Sequence, residues 1–251
     1  MSDVPRAESR ITTDAPSRAT MSLAQWVPLL VILALAIELR LIFFQGVIHT
    51  DDLTYSHLAE RLAEGVSPFA KPLPDIYGAL RIGLYAPVAL AYKIVGVSTG
   101  ATVAWPFLLS LLGIVAAYVV GRIVRSEAAG LLAAFMLAVL PTNVVAATAL
   151  LGDGPIAALS VITVALLLVS NRTQGARSIA ALAGSLLCFS LGVFNKPLIL
   201  LLLPFLALFV MLRTKRVSLR IVGAALVLAG NDMVSRCPAP PPVFRENEPF
   251  S

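Results

Sequence analysis

The chain has 251 residues, of which 58% are hydrophobic and 13% charged, and its mean hydropathy is +0.88. Soluble domains carry about 25% charged residues, so a soluble core cannot hide this much apolar surface and lipid is the expected solvent. The net charge of +5 then points to cytoplasmic loops rich in Lys and Arg and away from a nucleic-acid partner.

Residues 1–22 are polar, contain Pro and Ser, and lack apolar periodicity. They are expected to form a disordered cytoplasmic tail. The apolar run after them is too long for a signal peptide, and no small-residue cleavage site follows. Residues 26–44 are long enough to span, since ~20 residues are needed. Glu38 and Arg40 interrupt the far half of this run. Two residues apart on a helix, they do not face each other. Arg40 can snorkel toward the interface and Glu38 needs a partner on another helix or a wet cavity, so the two read either as interfacial anchors or as residues with a direct role.

The stretch His49-Thr50-Asp51-Asp52-Leu53-Thr54-Tyr55 comes next. Adjacent carboxylates at the mouth of a membrane helix are costly unless solvated, paired or used. They mark the expected active-site side of the protein. Tyr55, Leu58 and Leu62 share a helical face and Gly65 can cap the end, which predicts a short amphipathic helix on the membrane surface. Residues 67–77 contain Pro68, Pro72 and Pro74 and read as a loop.

Residues 80–95 contain Arg81, Pro87 and Lys93. If they span, the basic loops at 121–126, 171–178 and 213–220 fall on the side of the Asp pair. If they lie in the interface or re-enter, all three loops are cytoplasmic, as positive-inside counting prefers. The second arrangement makes 46–98 an extracytoplasmic, juxtamembrane loop. Further spans then follow at 101–120, 129–150, 155–169, 179–194 and 198–212, with a last apolar run at 221–229. The expected fold is an all-α polytopic membrane bundle over residues 23–230 with about seven spans. Asp51, Asp52, Asp153 and Lys196 all reach its extracytoplasmic face. Residues 231–251 turn Pro-rich after a short apolar run. An unfinished span is a poor terminus, and the expectation is an interrupted reading frame followed by a disordered, non-native tail.

Leu39-Arg40 and the run from Asp51-Asp52 through Tyr55, Ala59 and Leu62 to Gly65 resemble the first periplasmic loop of glycosyltransferase family 39. That family includes the dolichyl-phosphate-mannose protein mannosyltransferases and the bacterial aminoarabinose transferases of lipid A. The run Arg81, Pro87, Tyr92 and Gly96 looks like the family's juxtamembrane stretch, and Gly121-Arg122, Pro141 and Asp153-Gly154-Pro155 fall where later landmarks would. The resemblance covers roughly residues 23–230 as a diffuse pattern. Only the Asp pair with its following spacing is moderately specific, and full-length members are considerably longer. The resemblance implies the membrane C-type glycosyltransferase fold in the cytoplasmic (inner) membrane, its active site facing the periplasm or exterior. It implies transfer of a sugar from a polyprenyl-phosphate donor to an extracytoplasmic lipid, glycan or protein acceptor. Asp51 aligns with the catalytic aspartate, and Asp52 is the near alternative. An aspartate can accept the acceptor's proton during attack on the anomeric carbon. Arg81 offers a fork of donors for the departing phosphate. Lys196 is a second phosphate ligand, and Asp153, Tyr55 and His49 are supporting residues.

Each of these residues also has a plainer role. Asp51 can cap the helix that follows it. Asp153 in Gly152-Asp153-Gly154-Pro155 suits a turn before a helix-starting proline, or else pairs with Arg81 or Lys196 to orient the phosphate site. Lys196 suits a snorkelling anchor. His49, Asp51, Asp52 and His57 could assemble a divalent metal site, although their spacing matches no standard zinc pattern. Cys188 and Cys237 lie too far apart to suggest a metal site or disulfide framework. A transporter or flippase using Glu38, Asp51 and Asp153 as pathway residues is the alternative from another class. A noncatalytic assembly partner, which an inactive truncated enzyme could become, is a third.

Overall fold

The computed structural model describes residues 26–48, 50–69 and 76–207. The expected tail at 1–22, the apolar run at 221–229, the tail at 231–251 and His49 lie outside the described residues. Within them the chain is helical with no strand. Three helices are long and apolar enough to cross a membrane: Thr99–Val124, Asp153–Arg172 and Ala176–Asn195. By this measure it is an all-helical membrane protein.

Helix α1, Val27–Ile42, takes Pro28 in its first turn, where the missing amide hydrogen has no helical partner to lose. The amphipathic stretch after it forms α2, Thr50–Ala63, with Asp51 and Asp52 in the first turn. There, negative charge suits the positive end of the helix dipole. Gly65 follows with φ of +83°, as its expected capping role requires. The short α3, Ile76–Ala79, leads into α4, Ile82–Val95. With 14 residues, α4 is about 21 Å long, well short of the ~30 Å apolar thickness of a bilayer. Its length fits the interfacial expectation. Tyr55 meets Arg81 and Glu60 shares a cleft with Tyr92, so α2 and α4 lie side by side and run the same way.

Ser98 caps α5, Thr99–Val124, by accepting a hydrogen bond from the Ala101 amide. Ser126 caps α6, Glu127–Val139, by accepting one from the Ala129 amide. The α5–α6 turn is tight because two glycines face each other across it. A Cβ on Gly121 would sit 2.7 Å from the Gly130 Cα, and one on Gly130 would sit 2.5 Å from the Tyr118 carbonyl oxygen. Backbone contact of this kind is what small residues permit between membrane helices.

The expected continuous span at 129–150 is broken in the structure. Leu140 is extended, as a residue before proline prefers, and Pro141 opens a separate short helix, α7, Pro141–Ala146. Thr148, Ala149 and Leu150 then pack inside the protein. Thr148 receives the chain leaving α1: its carbonyl accepts from the Gly46 amide at 3.0 Å and its hydroxyl from the Gln45 amide at 3.2 Å.

Helices α8, Asp153–Arg172, and α9, Ala176–Asn195, form a second hairpin. A 3₁₀ segment, Pro197–Leu202, follows and turns back against them. Arg172 donates to the Ile123 carbonyl, so the α5–α6 and α8–α9 turns lie at the same end of the bundle. Asp153 begins α8 and Arg172 ends it, a separation of about 30 Å along a 20-residue helix. Among the described residues the basic turns at 121–126 and 171–178 therefore lie at the end opposite the aspartates, as the topology inferred from loop charge requires. The basic loop at 213–220 lies outside the described residues.

Arg40 corrects one expectation. It is 0% exposed rather than snorkelled. Its Nε and Nη2 donate to Ser110 Oγ at 3.0 and 2.7 Å, and Nη1 donates to the Ala36 and Ala138 carbonyls at 2.9 and 3.3 Å. One side chain thus joins α1, α5 and α6. Glu38 is exposed.

Candidate functional site

The two adjacent aspartates occupy different surroundings. Asp51 is exposed, whereas Asp52 is 0% exposed and accepts a hydrogen bond from the Ile48 amide at 3.4 Å through Oδ2. This bond ties the first turn of α2 to the chain that leads into it. Asp51 and Asp52 both lie inside the first turn of α2 rather than before it, so Asp51 does not take the capping role expected of it and keeps its carboxylate at the surface.

One turn beyond the aspartates, Tyr55 is 4% exposed and packs with Leu58, Leu84, Tyr85 and Val88. Arg81 stands at the start of α4 and lies against Tyr55 in two ways. Its Nη1 donates to the phenol oxygen, and its guanidinium carbon is 5.6 Å from the ring centroid. The ring orients the guanidinium and adds a cation–π attraction. No carboxylate pairs with Arg81 among the described residues.

Arg81 also approaches the start of α8. A Cβ placed on Gly152 would lie 4.0 Å from Arg81 Nη1 and 3.1 Å from Asn195 Oδ1. Asn195 is 0% exposed, and neither its Oδ1 nor its Nδ2 has a hydrogen-bond partner. Burying an unbonded polar group costs about 1–3 kcal/mol, so a carboxamide placed this way is a substantial local expense. Beside it, Lys196 pairs with Asp153. Of the two partners weighed for Asp153, the structure selects Lys196 and leaves Arg81 to Tyr55. The pair is partly exposed, so screening leaves it little stabilising weight.

The structure therefore gathers Tyr55 with Arg81, and Asp153 with Lys196, around Gly152 and Asn195. Neither Asn195 nor Gly152 stands out among the charged candidates. The available signal was a polar residue directly before Lys196-Pro197 at the end of an apolar run. His49 lies outside the described residues.

A hollow of about 320 Å³ lies between α2 and the α4–α5 junction and is lined by Ser56, His57, Glu60, Tyr92, Ser98 and Thr102, among others. Neither aspartate lines it. His57 Nδ1 is 3.7 Å from Glu60 Oε2, and the Tyr92 and Thr102 hydroxyls are 2.6 Å apart. Burial pushes the Tyr92 phenol above its ordinary value; the Thr102 hydrogen bond opposes this and the Glu60 charge adds to it. Among the described residues no three His, Cys, Asp or Glu side chains converge as metal ligands.

No family model, curated protein or solved structure matches the chain.

Proposed function

We propose that this chain is a membrane glycosyltransferase module that moves a sugar from a polyprenyl-phosphate donor to an extracytoplasmic acceptor, with Asp51 as general base. The observation that carries the reading is the position of Arg81. It is oriented by Tyr55 on the same helix as the aspartates and borders the start of α8. A cation without a carboxylate partner, held by a tyrosine one helical turn from an exposed aspartate, supplies with that aspartate the two charges that glycosyl transfer needs.

In the proposed step, the Asp51 carboxylate accepts the proton of the acceptor hydroxyl or amine as that atom attacks the anomeric carbon. The bond between this carbon and the phosphate oxygen breaks, and the lipid phosphate leaves with the bonding pair. Arg81 faces the departing phosphate with planar paired donors. Asp52 fixes the start of α2 and so the direction of Asp51. Lys196, turned toward Asp153, flanks the phosphate side. The basic turns at Arg122, Arg125, Arg172 and Arg177 face the cytoplasm under the positive-inside rule, which puts the site on the periplasmic or outer side of the cytoplasmic membrane.

The test is sugar transfer from a polyprenyl-phosphate donor by the full chain in lipid nanodiscs. Asp51→Asn is expected to lower the rate by about 10²–10⁴-fold, the usual weight of a general base, with the unfolding midpoint unchanged. Undiminished transfer by this variant removes the reading. Donor uptake into sealed liposomes without covalent transfer would favour transport instead.

A further inference from the structure

We propose that Asn195 is a ligand-binding residue which, with Arg81 and the backbone at Gly152, receives the phosphoryl oxygens of an anionic ligand. The inference deepens the transferase reading and rests on it for the lipid attached to the phosphate, though not for the phosphate itself.

Three independent features converge on one spot. Asn195 is 0% exposed, and among the described residues it is the one whose two side-chain polar atoms both lack a partner. Gly152 has no Cβ where one would lie 3.1 Å from the Asn195 oxygen and 4.0 Å from Arg81 Nη1. Gly152 also precedes the first turn of the 20-residue α8, whose free amides and dipole favour negative charge.

Charge selects the class of ligand. Asp153 and Lys196 neutralise each other, which leaves the Arg81 guanidinium as the excess charge beside Gly152. The Asn195 oxygen faces the Gly152 spot. Since neither amide atom is bonded, a half-turn of the carboxamide exchanges that oxygen for the nitrogen. The nitrogen and the guanidinium, both donors, then suit an oxyanion better than a cation or an apolar group. A phosphoryl group offers the acceptors that both can reach. Asn195 is itself held in place from behind, because α4 and α9 touch at Gly83, where a Cβ would meet the Asn195 amide nitrogen at 3.1 Å.

The backbone at Gly152, with φ of −67° and ψ of −19°, is one that alanine adopts freely. Gly152→Ala therefore adds a methyl to the spot without straining the chain. Asn195→Leu removes the carboxamide at similar volume.

Binding of two probes, polyprenyl phosphate and inorganic phosphate, is measured on the full chain in lipid nanodiscs, together with unfolding midpoints in the absence of either probe. Both variants are expected to weaken at least one probe by about tenfold or more, the weight of a buried hydrogen bond to a charged group. Weakening of inorganic phosphate as well as polyprenyl phosphate assigns the recognition to the headgroup. Weakening of polyprenyl phosphate alone assigns it to the lipid-borne form. Asn195→Leu is also expected to raise the ligand-free midpoint, because an unsatisfied amide is exchanged for an apolar side chain. A merely structural asparagine would give the opposite shift. Unchanged binding of both probes, or a lowered midpoint in Asn195→Leu, overturns the proposal. Transfer activity separates the two claims: transfer with unchanged binding sinks this one alone, and Asn195-dependent binding without transfer sinks the transferase.

Discussion

Arg81 and Tyr55 act as one unit: the guanidinium donates to the phenol oxygen and lies 5.6 Å from the centre of the same ring. The aromatic face and the hydroxyl therefore make separable contributions. Tyr55→Phe keeps the ring and should weaken polyprenyl-phosphate binding by about tenfold or less, the worth of one hydrogen bond. Tyr55→Leu removes the cation–π attraction too and should weaken it further. Titration of the probe into nanodisc-held protein checks the order. Equal affinities in both variants would show that the ring face contributes nothing.

The contact between Gly121 and Gly130 leaves no space for a methyl group on either side. Gly121→Ala and Gly130→Ala should each destabilise the α5–α6 hairpin by about 1–3 kcal/mol, the usual cost of overpacking. Gly100, whose Cβ position meets nothing within 4 Å, provides the control. Denaturant titration in detergent should show a loss for the first two variants and none for Gly100→Ala.

Ser110 Oγ accepts two hydrogen bonds from the buried Arg40 guanidinium. Ser110→Ala leaves those donors unbonded and should cost about 1.5–3 kcal/mol. Replacing both residues, as Arg40→Met with Ser110→Ala, should cost less than the sum of the single changes, because neither partner is then stranded. An additive result in a double-mutant cycle would show that the two side chains are not coupled.

Alkaline pH should expose the burial of Tyr85. Its hydroxyl donates to the Ala79 carbonyl at 2.7 Å, and burial pushes the phenol up from 10.0 to about 12. The folded state keeps a proton that the unfolded chain has begun to release. The stabilising contribution is therefore complete below pH 10 and is lost as pH rises from 10 to about 12. The unfolding midpoint should fall across that window, and less steeply in Tyr85→Phe. Parallel profiles for the two proteins would contradict this.

Much of the end-to-end charge pattern is legible before any coordinates. Charged residues are scarce in an apolar chain, so Asp51, Asp52, Arg81, Asp153 and Lys196 stand out and the loop arginines assign ends. Hydropathy cannot register a backbone break inside an apolar run, which is why residues 129–150 read as one helix. Pro87 and Pro106 lie inside helices, whereas Pro141 starts a new one after an extended Leu140; the residue type alone does not separate these outcomes. Arg40 is misread for another reason. Its acceptors on other helices lie 70 and 98 residues ahead of it in the chain, and no local pattern announces them. Asn195 is overlooked because an uncharged amide draws little notice beside a lysine. The two roles of the Asp pair depend on which side chain turns back toward Ile48, a choice that adjacency leaves open.

The placement of Arg40 also imposes an order on biogenesis. Helix α1 is synthesised before its partners: the serine and the α6 carbonyl that receive its guanidinium come 70 and 98 residues later. A lone arginine at the centre of a helix in lipid costs about 2.5–3.5 kcal/mol on insertion scales, and Arg40, in the last turn of α1, carries a smaller share of that cost until its acceptors arrive. The contacts that bury the Arg40 guanidinium therefore form only after α5 and α6 have been made, so the seat of α1 is completed by the very segments it precedes.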